Sequence, residues 1–166
     1  MPDGPQDDTA DVVALWRLQA AYADIVTRRS WAELATVFLP NVTIEVDTVT
    51  AAPRRFVGPQ EFSDFIAPAI GRFDHFEFVI LNTVVDITAV DAARGRIFIC
   101  EIRREASSQQ WSTAYGLYQD SYRRVDGRWW FADRRYRSLA RTGASGGVFG
   151  IPEGLEPLFN SQPRTD

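Results

Sequence analysis

Apolar residues recur at Val12, Leu15, Leu18, Tyr22 and Ile25 or Val26, the spacing of one buried face of a helix. Thr9 or Asp11 is suited to cap its start. A short second helix is expected near Trp31–Phe38, and Pro40 prevents its continuation. Val42, Ile44 and Val46 then alternate with Thr43, Glu45 and Asp47, the period of a half-buried strand. Arg54–Val57 reads as a short extended piece. Pro59 is placed to open a helix from Gln60 to about Ile70, with Phe62, Phe65, Ile66 and Ala69 on one side and Pro68 and Gly71 ending it.

The second half reads as strand after strand. Phe76–Val90 is long and apolar on both faces, Asp91–Gly95 is expected as a turn, and Arg96–Arg104 as a strand. Ala106–Gln110 is loop, Trp111–Val125 is strand, and Arg128–Leu139 is the last strand. Asp126-Gly127 between the final two is the strongest short hairpin signal in the chain. Helices followed by long antiparallel strands predict an α+β domain, with the helices packed on one face of a curved sheet. Residues 1–9, with Pro2, Gly4 and Pro5, are expected as a disordered tail. The domain then spans 10–141. Residues 142–166 form a C-terminal extension, rich in Gly, Ser and Pro, that is expected to fold over the body as a loop.

Composition narrows the chemistry more than the fold. The 166 residues suffice for one domain with a real core, and 45% are hydrophobic. The net charge of -4 argues against a nucleic-acid partner. All 18 basic residues are arginine, so no lysine is available for Schiff-base chemistry. One cysteine, Cys100, and one histidine, His75, argue against an internal disulfide, a Cys- or His-rich metal site and a Ser-His-Asp triad. No apolar run approaches the length of a membrane span, and the acidic N-terminus lacks a signal peptide's core, so the expected location is the cytoplasm.

Several ionisable groups fall where burial is expected. Asp120 sits between Tyr118 and Tyr122 on one strand face, with Ala114 and Gly116 leaving room nearby. Among apolar neighbours such an acid can stay protonated and donate to an oxyanion; the competing role is an ion pair with Arg103, Arg104, Arg124 or Arg135. Glu101, apolar on both sides, is either a general base or one half of a structural pair. Tyr22 lies on the buried stripe of the first helix and could offer its hydroxyl to a substrate oxygen. Asp24 is a further acid candidate, with Arg28 at i+4 as a surface partner. Glu45 and Asp47 share one strand face, solvated unless it lines a hollow. His75 titrates in the right range for proton transfer. Phe78, Glu101, Tyr115 and Tyr118 are expected to line a pocket for a small hydrophobic molecule.

Tyr22-Ala-Asp24, the Ser30-Trp-Ala-Glu-Leu34 step, Asn82-Thr-Val-Val-Asp86, Arg94-Gly-Arg96 and Asp126-Gly-Arg-Trp-Trp-Phe131 occur in that order. Together they resemble the SnoaL-like branch of the nuclear transport factor two-like superfamily over roughly residues 10 to 141. The resemblance implies a conical, strongly bent sheet wrapped by helices, a pocket at the wide end, and a homodimer. It implies cofactor-independent lyase or isomerase chemistry on hydrophobic cyclic substrates, as in scytalone dehydratase, ketosteroid isomerase, polyketide cyclases and a dehydrochlorinase. The alternative it implies is a non-catalytic pocket protein like the β subunit of aromatic-ring dioxygenases. The His–Asp dyad of dehydratase members would fall on Phe78 and Thr27, with Ser30 as the alternative acid position and His75 three residues before Phe78. Ketosteroid isomerase-like members would match Tyr22 and Asp120, with the base position near Glu45–Asp47 and Val46 at the literal match.

Overall fold

The computed structural model describes residues 8–143, 146–153, 155 and 158. Residues 1–7 of the expected tail, and Phe159 with most of the far C-terminus, lie outside the described residues. Helix α1 runs Thr9–Arg28 and buries Leu15, Leu18, Tyr22, Ile25 and Val26, the stripe read from the sequence. Arg29, with φ of 61°, ends it in the left-handed conformation, its N–H turned back onto helix carbonyls. Trp31–Thr36 is a 3-10 turn rather than a longer helix, because β1 starts at Phe38 and runs through Pro40 to Val46. After β2 (Arg54–Val57), helix α2 spans Gly58–Gly71. Pro68 lies inside α2 instead of ending it: the ring forfeits one backbone bond, and the helix continues three residues further.

The remaining strands are β3 (Phe73–Ala89), β4 (Ala92–Glu105), β5 (Trp111–Val125), β6 (Arg128–Arg141) and the short β7 (Gly147–Val148). The expected turn at 91–95 is tighter: Ala89 already pairs with Ala92, so β4 begins three residues after β3 ends. The sheet order is β2-β1-β6-β5-β4-β3, and β7 pairs with the end of β6. Neighbours are antiparallel except β1, which joins β6 in parallel. Asp126 and Gly127 both have positive φ, 50° and 76°, as a two-residue hairpin turn requires. The fold is therefore the expected α+β architecture, with α1 packed on β3 and α2 on β1 across the inner face of a long bent sheet.

Bulges decide what that inner face carries. Tyr122 pairs with Phe131 but Ser121 pairs with Asp133, so Ala132 is the extra residue. Beyond it the alternation flips, and Arg134, Tyr136 and Ser138 turn inward where an unbroken strand would present Asp133, Arg135 and Arg137. A second bulge, at Leu139, flips it again and brings Arg141 opposite the inward-facing Ala114. Gly116 makes room for Tyr136: a Cβ there would lie 2.2 Å from Tyr136 Cε2 and 2.7 Å from its hydroxyl. Gly116→Ala is expected to displace that ring and cost about 1–3 kcal/mol, read as a lowered denaturation midpoint with an unchanged urea m-value.

Candidate functional site

Between helix α1 and the bent sheet runs a polar chain inside an aromatic shell. Arg134, fully buried, grips Asp120 with two parallel bonds of 2.8 Å, Nε to Oδ1 and Nη2 to Oδ2. Tyr122 donates to Asp120 at 3.1 Å, Gln19 Nε2 donates to the Tyr122 hydroxyl at 2.8 Å, and Thr83 donates to Gln19 Oε1 at 2.6 Å. The guanidinium carbon lies 4.1 Å from the ring centres of Tyr22 and Phe131 and 4.3 Å from that of Tyr118. Those ring faces surround Nη1, which lacks a hydrogen-bond partner. Burial opposes the charge on Arg134, yet the Asp120 carboxylate holds its pKa above the usual arginine value. Asp120 thus pairs with an arginine absent from the four partners expected for it. Burial likewise lifts the phenols of Tyr22 and Tyr118, so both are neutral donors.

A separate cavity of about 230 Å³ opens between α2 and the sheet. Ile66, Ala69, Ile70, Phe73 and Phe76 form its apolar wall, and Glu101, Arg103 and Arg141 its charged wall. Glu101 and Arg103 are successive inward residues of β4, and the second β6 bulge sets Arg141 beside them across Ala114. Arg103 Nη1 is 3.5 Å from Glu101 Oε2, longer than a good charge-assisted bond. The Glu101 side chain keeps 17% of its surface exposed. Burial raises its pKa above the ordinary glutamate value, while Arg103 and Arg141 pull it down without cancelling the rise. Burial lowers the pKa of Arg103, but arginine starts so high that it stays charged. Burial also raises Tyr136, next to this group, with Glu101 adding to the effect. The arrangement can exchange a proton through Glu101 and hold negative charge on the two arginines.

The other expected site residues are dispersed. Tyr22, Phe78 and Tyr118 meet in the aromatic shell, with ring centres 5.5 to 6.1 Å apart. Asp24 is on the outer side of α1, bonded to Arg28 at 2.8 Å and 61% exposed. His75 is half exposed, tilted against Trp111, with Glu77 3.9 Å away. Glu45 faces Arg135 and Arg137 at 3.3 and 3.6 Å. Asp47 accepts the backbone N–H groups of Val49 and Ser138. Tyr115 is exposed on the opposite face of β5 from Ala114 and Gly116. The two positions matching the family dyad are neighbours: Thr27 Oγ1 accepts the Phe78 N–H at 3.0 Å. Arg134 and Arg141 were invisible in the sequence because only the bulges turn them inward.

The SnoaL-like domain family model matches residues 7–135. The chain belongs to the SnoaL-like family. Among solved structures it is similar to a candidate scytalone dehydratase from Novosphingobium aromaticivorans, with a TM-score of 0.75, 19% identity, and coverage of 90% of this chain and 97% of that one. It is also similar to a type 3 hexachlorocyclohexane dehydrochlorinase from Novosphingobium barchaimii, with a TM-score of 0.72, 20% identity, and coverage of 88% and 98%. A third likeness is to a candidate aromatic ring hydroxylase from Novosphingobium aromaticivorans, with a TM-score of 0.66, 20% identity, and coverage of 87% and 96%. No curated protein matches the chain. These likenesses place this SnoaL-like chain in the nuclear transport factor two-like fold. Among the described residues no helix is long and apolar enough to cross a membrane, and no group of three or more His, Cys, Asp or Glu could hold a metal ion.

Proposed function

We propose that the protein is a cofactor-independent lyase or isomerase that moves a proton within a small, largely apolar, oxygen-bearing molecule, with Glu101 as the acid–base group. The observation that carries this reading is a carboxyl whose pKa burial raises, set in a cavity beside two arginines. In this mechanism the ionised carboxylate of Glu101 takes a proton from a carbon next to a carbonyl. The C–H electron pair moves into the carbonyl, and the positive charge of the Arg103 and Arg141 wall stabilises the enolate. A lyase then expels a leaving group from the adjacent carbon; an isomerase returns the proton at another carbon. Asp120 and Arg134 hold Tyr118 and Tyr22 in place behind the cavity. Asp24, His75, Glu45 and Asp47, each exposed or engaged elsewhere, have no part in this chemistry. A homodimer is part of the same proposal, with exposed Trp111 and Tyr115 on β5 as contact surface.

Hydrogen exchange at carbon tests this step whatever the net reaction. Small cyclic ketones, oxo acids and phenols are incubated with the protein in D2O, and exchange at carbon is followed by NMR. Enzyme-dependent exchange on at least one compound, lost in Glu101→Gln, is the expected result; no exchange across the panel would sink the reading. One observation favours a second reading, a binding module without chemistry: the dyad positions hold Thr27 and Phe78, and rings pack around Tyr22 beside them. On that reading compounds bind without exchanging.

A further inference from the structure

Positive charge exceeds negative charge around the cavity. Arg103 faces Glu101 at 3.5 Å, and Arg72 faces Glu105 at 3.7 Å on the rim. Arg141 has no carboxylate within ion-pair distance among the described residues, although it lies close enough to depress the Glu101 pKa. The Nε–H groups of Arg103 and Arg141 are both buried and without a hydrogen-bond partner. An unsatisfied buried donor is costly, and these two belong to neighbouring side chains of one wall. A second depression of about 230 Å³ shares Arg72, Phe73, Arg103 and Arg141 with the first, so the arginine pair stands between two hollows. Phe73 stacks under Arg103, its ring centre 5.2 Å from the guanidinium carbon, and helps fix the fork.

We infer that the ligand of this cavity is a small organic carboxylate, its acid group bound by Arg141 and Arg103 and its apolar body laid against Ile66, Ile70 and Phe76. Two planar guanidinium forks match a carboxylate in shape and charge better than they match a neutral carbonyl. An added carboxylate brings the charge of this wall close to balance. At about 230 Å³ the cavity is below the range of drug-sized pockets, which fits a single ring rather than a polycycle. This inference rests on the acid–base reading of the same cavity for the role of Glu101, but the anion site stands without it.

The test compares benzoate with benzamide, nearly equal in shape and different in charge, by NMR titration of the unmodified protein. Benzoate is expected to bind about tenfold or more tightly than benzamide, and to lose that advantage in Arg141→Met. Melting curves of the variant check that it is folded. Equal binding of the two probes by the unmodified protein overturns the inference, as does undiminished benzoate affinity in folded Arg141→Met. The two proposals fail separately. Carbon exchange without benzoate selectivity removes the anion site and leaves the catalyst. Arginine-dependent benzoate binding, with no compound exchanging, removes the catalyst and leaves the anion site.

Discussion

Asp120→Ala is expected to destabilise the protein by about 3–5 kcal/mol. The substitution leaves the Arg134 guanidinium with no carboxylate and no route to water, since both side chains are fully buried. Ring faces at 4.1 to 4.3 Å soften the loss but cannot accept two N–H bonds. Tyr122 also loses its acceptor, leaving it only the bond from Gln19. Arg134→Met is expected to be similarly damaging, because it strands the carboxylate instead. Combining Asp120→Leu with Arg134→Met removes both charges and should recover much of the loss, as an apolar pair of similar volume often matches a buried ion pair. Urea unfolding of Asp120→Leu, Arg134→Met and the pair closes the cycle. A coupling energy near zero would contradict a bidentate bond sealed from solvent.

That ion pair also marks where sequence reading ends. The helix α1 stripe, the Asp126-Gly127 turn and the long strand β5 all follow from local periodicity, because each is decided by residues within a few positions of one another. Counting outward from the turn in perfect register places Asp120 opposite Asp133, a repulsive pairing. The structure avoids it with one extra residue, Ala132, and Asp120 meets Arg134. Nothing in the run Phe131-Ala-Asp-Arg134 announces the bulge, since no glycine or proline stands in it. The same limit hid Arg141. Glu101 was legible as a costly carboxylate in an apolar strand, but its surroundings depend on α2 and on β6, far away in the chain. The aromatic shell was half legible: Tyr22 and Tyr118 could be read as buried, whereas the guanidinium between them could not.

Glu101→Gln is expected to slow carbon exchange by about 10²–10⁴-fold, the usual worth of a positioned general base. The pH dependence distinguishes a base from a structural residue. Exchange needs the ionised carboxylate, so in the unmodified protein the rate should climb with pH through the raised pKa of Glu101 and then level. In Glu101→Gln that rising limb should vanish. Stability moves in the opposite sense. Because burial raises the folded-state pKa above the ordinary 4.5, the folded protein holds the Glu101 proton over a pH window in which the unfolded chain has released it. The contribution of Glu101 to stability is therefore fully present below about 4.5 and is lost as pH rises through the folded-state value. Glutamine has no proton to release, so the variant should show a flatter stability profile across that window. It also leaves Arg103 facing a neutral amide, which removes the ion pair only where the unmodified Glu101 is ionised. A residue with only a packing role would change the stability profile and leave the pH dependence of exchange intact. An exchange profile that keeps its rising limb in Glu101→Gln would assign the proton transfer to another group.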